Sequence, residues 1–426
     1  MLNWLKKGWG IILILIISVI GALIYQYEND KVSVKRDQFR FEYGSEIPCT
    51  SDAYFNYSGQ YETVTFDKAL FAMKDIGRYE VKVNFAQKEY TLLIEIVDES
   101  APLIQFNEDR AIIYRYQNQL YGNFYSITDG SAVEHEIQLK EQSDGTSEVC
   151  VTAIDAYQNK AKECKVMQAE IKDLQLVSIP KVNNVEDLVN VYLTEKRLNK
   201  NSFAFFYESF DDQESYLYNF DRLINAASTI KVPLNMLYED AYAQQKMRPN
   251  QTISLRQSDI ETGGGYTSQN RLNTPLTYAY LQEQSIVFSD NTATNMLVRA
   301  LGGFSAFRKQ LAQYSDAKLP QAFYSQNVIT AEYMADVMRT LYQESERYEN
   351  LIAHMKSASK DEYLQASSDV FEIAQKYGSF EEVLHTVGIV YTPKPYIVGI
   401  FTMNREDGEL IIKELNEWLI AYQLQK

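Results

Sequence analysis

The sequence predicts a multidomain chain: an N-terminal transmembrane helix, two all-β sandwiches in series, and a C-terminal α/β (α+β) domain with an antiparallel sheet flanked by helices. Three observations predict it. An uncharged apolar run occupies Trp9 to Tyr25, period-two alternation rich in tyrosine and valine fills about 34–172, and from about Asp173 helical segments alternate with short strands. With 426 residues, 46% hydrophobic and 23% charged, the chain has apolar material for two or three packed domains.

The first element, "WGIILILIISVIGALIY", follows Lys6 and Lys7. As a helix rising ~1.5 Å per residue it spans roughly 25 Å, near the thickness of a bilayer core. The basic flank belongs on the cytoplasmic side, which puts residues beyond about Tyr27 outside. A cleaved signal peptide is the competing reading. A long run without a good small-x-small site favours an uncleaved anchor over residues 1–30, and no cysteine follows it for lipid attachment.

Between 34 and 172 the alternation is clearest in "GRYEVKVNFAQKEYTLLIEIV". Tyr79, Val81, Val83 and Phe85 face one way and Glu80, Lys82 and Asn84 the other, and Gln87 and Lys88 turn the chain into a second strand. The pattern stops at "DESAPLI" and restarts, which divides the region into modules at 34–98 and 99–172. In "EVCVTAIDAYQNKAKECKV" a tight turn near Tyr157 sets Cys150 opposite Cys164; the expectation is a disulfide there with Cys49 free, the alternative three reduced thiols. The strand order and acidic-proline joint resemble bacterial immunoglobulin-like wall domains. That resemblance implies a spacer or a binding module, and with no chemical site in view the spacer is favoured.

Charge and composition narrow the partners. Lys and Arg number 41 against 57 Asp and Glu, a net charge of -16, which argues against nucleic acid, whose phosphates are bound by clustered cations. Only His135, His354 and His385 are present, with no cysteine pair at ligand spacing, so no metal and no cofactor is expected.

In the distal domain, 175–426, "NNVEDLVNVYLTEK" reads as an amphipathic helix and "SFAFFYES" and "SYLYNF" as strands. "TPLTYAYLQEQSI", "NTATNMLVRALGG" and "TAEYMADVMRTLY" read as helices, the last with Tyr333, Met334, Val337, Met338 and Leu341 on one face. "VFEIAQKYG", "HTVGIVYT" and "PYIVGIFT" return to strands before a final helix from about Asp407. The sheet is therefore built from both ends of the domain.

Ser-x-x-Lys occurs at Ser178/Lys181, Ser228/Lys231, Ser315/Lys318 and Ser357/Lys360. Only Ser228 opens a segment that continues as an apolar helix, "VPLNMLY". Residues three apart share a helix face, so the Lys231 amine is in reach of the Ser228 hydroxyl, and the free N–H groups of a helix start favour developing negative charge. Pro233 is expected to leave the Thr229 carbonyl without its helical partner. Taken alone, such a serine is better explained as an N-cap. Two further pieces shift the balance: Ser289-Asp290-Asn291 opening another helix, and Lys376-Tyr377-Gly378 at a strand end with Ser379 next. Individually these are an N-cap, and an edge lysine beside a turn glycine.

In this order the three pieces resemble the Ser-x-x-Lys, Ser-x-Asn and Lys-Thr-Gly motifs of the class A β-lactamase and penicillin-binding protein superfamily, over about 175–426. The resemblance implies a serine hydrolase in which Ser228 is acylated and Lys231 is its base. Ser289 would relay a proton to the leaving nitrogen, Asn291 would hold the substrate or Lys231, and the N–H groups of Ser228 and Ser379 would form the oxyanion hole. Lys376 would lower the Lys231 pKa and attract a substrate carboxylate.

Two departures stand out. Tyr377 replaces the family's Thr or Ser, which carries its hydroxyl farther out. In "AKLPQAFYSQNVITAEYM" no acidic residue precedes Glu332, where class A enzymes carry a water-activating glutamate; Asn327 and Thr330 read as turn and cap residues. Efficient β-lactam hydrolysis is therefore not expected. The sequence-based reading is a monomeric, single-pass protein of a Gram-positive-type surface, its bulk extracellular, acting on a peptidoglycan-type peptide or a β-lactam-like small molecule. A true class A β-lactamase and a non-catalytic wall-binding scaffold are the alternatives.

Overall fold

Alternating residues of the N-terminal half pair as strands that bury one face. The computed structural model describes residues 32–57, 61–73, 76–122, 124–129 and 133–426. The expected anchor, Trp9 to Tyr25, lies outside them; among the described residues no helix is long and apolar enough to cross a membrane. Two compact units are present, one running up to Asp109 with Tyr125–Met167, the other Arg110–Phe124 with Gln168–Lys426.

In the first unit Gly77–Phe85 and Lys88–Val97 form an antiparallel hairpin that buries Val81, Val83, Phe85, Leu92, Ile94 and Ile96. Its turn is Ala86-Gln87, with φ of 50° and 62°, one residue earlier than the sequence suggests. Both residues take the left-handed conformation that matches strand twist in a two-residue hairpin loop. Phe39–Glu42 adds to Lys88–Val97 in parallel, so this sheet is mixed. A second hairpin pairs Ser147–Asp155 with residues 160–167, its turn tied by the Asp155 carboxylate accepting from the N–H groups of Tyr157 and Asn159. Cys150 faces Cys164 in register and is bonded to it; Cys49 is free.

The second unit holds a domain of sheet and helices. Its elements are numbered here from Val185–Glu195 (α1), Phe203–Ser209 (β1), Ser215–Tyr218 (β2), Ile224–Asn225 (β3), Lys231–Ala243 (α2), Thr252–Ser254 (β4) and Pro275–Thr277 (β5). Tyr278–Val287 (α3), Asn291–Ala300 (α4), Phe304–Leu311 (α5), Gln321–Ser325 (α6), Val328–Ile329 (β6), Ala331–Gln343 (α7) and Glu349–Lys356 (α8) follow. Ile373–Phe380 (β7), Val383–Val390 (β8), Tyr396–Met403 (β9) and Gly408–Gln425 (α9) complete it.

Five strands form one antiparallel sheet in the order β2-β1-β9-β8-β7. Both faces are covered, so successive residues of β1 enter different cores. Phe203, Phe205 and Tyr207 pack with Val189, Ile411 and Leu415 of α1 and α9. Ala204 and Phe206 pack with Leu234, Met334, Met338 and Leu341 of α2 and α7. Strand β7 is an edge of this sheet, and it packs closely against the turn that carries Ser228.

The helices start where local chemistry permits. Thr330 caps α7 by accepting from the Tyr333 N–H at 3.1 Å, and the five expected core residues of α7 are buried. The segment "TPLTYAYLQEQSI" is helical only from Tyr278. Pro275 biases its predecessor toward extended backbone, β5 pairs with β4, and Thr277 caps the helix through the Tyr280 N–H at 3.2 Å. Met338 is 0% exposed. Met338→Ala should lower stability by about 2–5 kcal/mol in urea denaturation, and an unchanged midpoint would exclude it from the load of this core.

Candidate active site

Ser228 lies in a 3₁₀ turn, Ala227–Ile230, that runs directly into α2. The turn starts from Ala227 at φ 44°, a left-handed conformation that a non-glycine residue holds only when its surroundings enforce it. Here Asn225 Oδ1 accepts from the Ala227 N–H at 2.8 Å, Asn327 Nδ2 donates to the Ala227 carbonyl at 3.3 Å, and Asn327's carbonyl accepts from the Ala226 N–H at 2.9 Å. His385, buried in β8, donates from Nε2 to the Asn225 carbonyl at 2.9 Å. Burial pushes this imidazole down to about 4, so it is neutral.

Pro233 proves harmless. It falls in the first turn of α2, where helix N–H groups have no intrahelical acceptor, and the Thr229 carbonyl expected to be orphaned accepts from the Lys231 N–H instead.

Lys231 is 3% exposed. Its amine donates to the Ser289 carbonyl at 2.7 Å, Asn291 Oδ1 at 2.8 Å and Ser289 Oγ at 3.3 Å. The Ser228 hydroxyl, half-buried, has no hydrogen bond among the described residues, so the lysine points at the second motif rather than at its own helix start. Burial lowers the Lys231 pKa to about 7 against the opposing pull of Asp290 and Glu261. Lys376, 0% exposed, donates to the same Ser289 Oγ at 3.0 Å and to the Tyr377 carbonyl at 2.9 Å. Its pKa falls well below the lysine range through burial and then the Lys231 charge. One serine hydroxyl thus joins two amines that favour the neutral form, a path along which a proton can move.

Gly378, next on β7, is needed for contact rather than for flexibility. A Cβ there would stand 2.7 Å from the Ser228 nitrogen and 2.9 Å from the Thr229 nitrogen. Ser379 follows, exposed at the end of the edge strand. Tyr377 is half-buried and stacks on Tyr363 with centroids 4.6 Å apart. The structure therefore gathers Lys231, Ser289, Asn291, Lys376 and Tyr377, and sets Gly378 against Ser228; the Cys150–Cys164 pair belongs to the other unit.

The model of the Beta-lactamase enzyme family matches residues 184–422, more than half of the chain. The chain belongs to this family. Beta-lactamase ROB-1 of Haemophilus influenzae is 33% identical over 102 residues, 24% of this chain and 32% of that protein, so the chain spans about a third of that relative's length. A β-lactamase of Bacillus licheniformis is 26% identical over 241 residues, 49% of this chain and 77% of its own. Among solved structures, PBP-A aligns with a TM-score of 0.52 at 20% identity, covering 58% of this chain and 100% of that one. A PBP-A mutant solved as an acyl-enzyme complex with penicillin G scores the same 0.52. A β-lactamase from Sphaerobacter thermophilus gives 0.50 at 22% identity over 57% and 99% of the two chains. At such identities the structural likeness establishes the fold.

This β-lactamase-family site also uses residues that motif reading passes over. Gly263, Gly264 and Gly265 have φ of 116°, 63° and 57°, and Cβ atoms on them would stand 3.0 Å from Asn291 Nδ2, 2.3 Å from the Phe288 carbonyl and 2.2 Å from Asp290 Oδ2. The triple glycine lets one loop close over the Ser289–Asn291 turn, where Ser289 itself has φ 55°. The run "GGG" was the available signal. His385 and Asn327, which brace Ala227, gave none. Outside the site, Asp98, Asp129 and Asp155 bring carboxylate oxygens within 4.8 Å of one another, and Asp155 is occupied by its own turn.

Lysine-selective NMR should show the Lys231 amine titrating near 7 instead of 10.5. The unfolded lysine keeps its proton up to the higher value and the folded one loses it at the lower, so this group makes the fold more stable as pH rises between them. A midpoint near the ordinary lysine value would contradict the burial seen here.

Proposed function

We propose that the protein is a membrane-anchored, extracellular serine hydrolase that forms an acyl-enzyme at Ser228 with cell-wall D-alanyl peptides or related acyl substrates. The observation that carries this reading is the Lys231–Ser289–Lys376 chain beside the Ser228 turn. Neutral Lys231 accepts the Ser228 proton as Oγ attacks the acyl carbon, a contact that tightens when substrate binds. The N–H groups of Ser228 and Ser379 receive the oxyanion, where one donor is worth on the order of 3 kcal/mol. Ser289 returns the proton to the leaving atom as its bond to the acyl carbon breaks, and water later hydrolyses the ester.

Deacylation is the slow half. Asn327 and Thr330 are engaged as brace and cap, and the Glu332 N–H is held by the Phe220 carbonyl. Among the described residues no carboxylate from this segment bonds to the Ser228 turn. A β-lactam-like ligand is consistent with the penicillin G adduct of the PBP-A mutant. The apolar run at Trp9 to Tyr25 serves as the anchor, the immunoglobulin-like modules at 34–98 and 99–172 as a spacer, and the protein acts as a monomer at a Gram-positive-type surface.

A fluorophosphonate, and more slowly a fluorescent penicillin with its carboxylate, should label wild type at Ser228, leave Ser228→Ala unlabelled, and give an adduct that outlasts removal of the reagent. Lys231→Ala should slow labelling by ~10²- to 10⁴-fold. Unchanged intact mass after both reagents would sink the acyl-enzyme reading, and rapid nitrocefin turnover would favour a β-lactamase.

A further inference from the structure

The place where the family resemblance puts a carboxylate-binding hydroxyl is filled here by an aromatic pair. Tyr377 stacks on Tyr363 at 4.6 Å with an interplanar angle of 14°. Tyr363 is held at φ 54°, a left-handed backbone that fixes how its ring is presented. Both rings are half-buried, so part of the pair remains open to solvent.

The Tyr377 ring also lies against the amine that would greet a carboxylate. Lys376 Nζ sits 4.3 Å from the Tyr377 ring centroid and is committed to Ser289 Oγ and the Tyr377 carbonyl, with no exposed surface. Burial and the neighbouring Lys231 also disfavour its charged form.

The surrounding charge has the opposite sign. Burial raises both phenol pKa values, and the charges of Glu362 at both rings and of Glu409 at Tyr363 add to it. Among the described residues neither carboxylate forms a salt bridge. An anionic group approaching this platform meets two exposed glutamates, Glu362 beside Tyr363 in the chain and Glu409 in the first turn of α9, whereas an aromatic face with acidic neighbours suits a neutral or cationic group.

Resting on the acyl-enzyme reading, we propose that the leaving group of the natural substrate carries no carboxylate: it is a neutral or cationic amine or alcohol that packs on the Tyr363–Tyr377 face. A D-alanyl acyl group would then be joined to a side-chain amine or a hydroxyl rather than to an amino acid ending in a free carboxylate. Ser228 Oγ bonds to the acyl carbon, the bond to the leaving nitrogen or oxygen breaks, and that atom takes the proton delivered by Ser289.

The test uses two acyl-D-alanyl thioesters that differ only in the leaving thiol, thioglycolate or its carboxamide, with acylation followed by intact mass on the full chain. Wild type should be acylated at least tenfold faster by the carboxamide. Tyr377→Thr should reduce or invert that preference by tenfold or more, Tyr377→Phe should keep it, and Glu362→Gln should narrow it severalfold. A wild-type preference for the carboxylate, or a ratio that moves in neither Tyr377→Thr nor Glu362→Gln, overturns the inference while fluorophosphonate labelling of Ser228 leaves the acyl-enzyme reading standing. No acylation by either thioester together with no fluorophosphonate adduct overturns both.

Discussion

Two lysine amines buried on the hydroxyl of Ser289 set the terms for the rest of the domain. An ammonium group taken out of water is costly, and moving the Lys231 pKa from 10.5 to about 7 corresponds to about 5 kcal/mol against its charged form. That cost does chemical work, because a neutral amine near neutrality can accept a proton from a serine. It must be met by packing elsewhere. Lys231 comes from the start of α2 and Lys376 from β7, so the site exists only when the helical core and the sheet are both complete.

Several strained or crowded positions follow from that demand. Ala227 and Ser289 hold φ of 44° and 55°, and the loop at Gly263–Gly265 closes on the second turn so tightly that neither Gly264 nor Gly265 could carry a side chain. The asparagine and histidine groups around Ala227 spend their hydrogen bonds on one backbone carbonyl or N–H each, which ties the Ser228 turn down beside β7. Gly378 completes the contact by having nothing to place between strand and turn. Precision here comes from backbone proximity more than from side-chain reach.

What was legible in the sequence was local. The alternation over 77–97, the helical face of Tyr333 to Leu341 and the three-motif order each report a neighbourhood of a few residues, and the sheet built from both ends of the domain followed from where strands recur. Contacts that close only in three dimensions were not legible. The parallel pairing of Phe39–Glu42 with Lys88–Val97 has no local signature, Pro233 reads as disruptive in sequence but falls in a first helical turn, and Pro275 with Thr277 moves a helix start by turn chemistry that apolar periodicity does not carry. Lys231 was expected beside the Ser228 hydroxyl because the two share a helix face; burial instead directs its amine to the carbonyl and amide oxygens of Ser289 and Asn291.

If a lysine made neutral by burial activates Ser228, acylation at that serine carries the titration of the lysine. The most direct measurement is the pH dependence of the rate at which a fluorophosphonate acquires Ser228, followed by intact mass at a fixed reagent concentration. The rate should rise as pH increases through about 7, where Lys231 loses its proton, and then level off. A rate that is flat across that range, or that rises only toward the ordinary lysine pKa, would contradict the account.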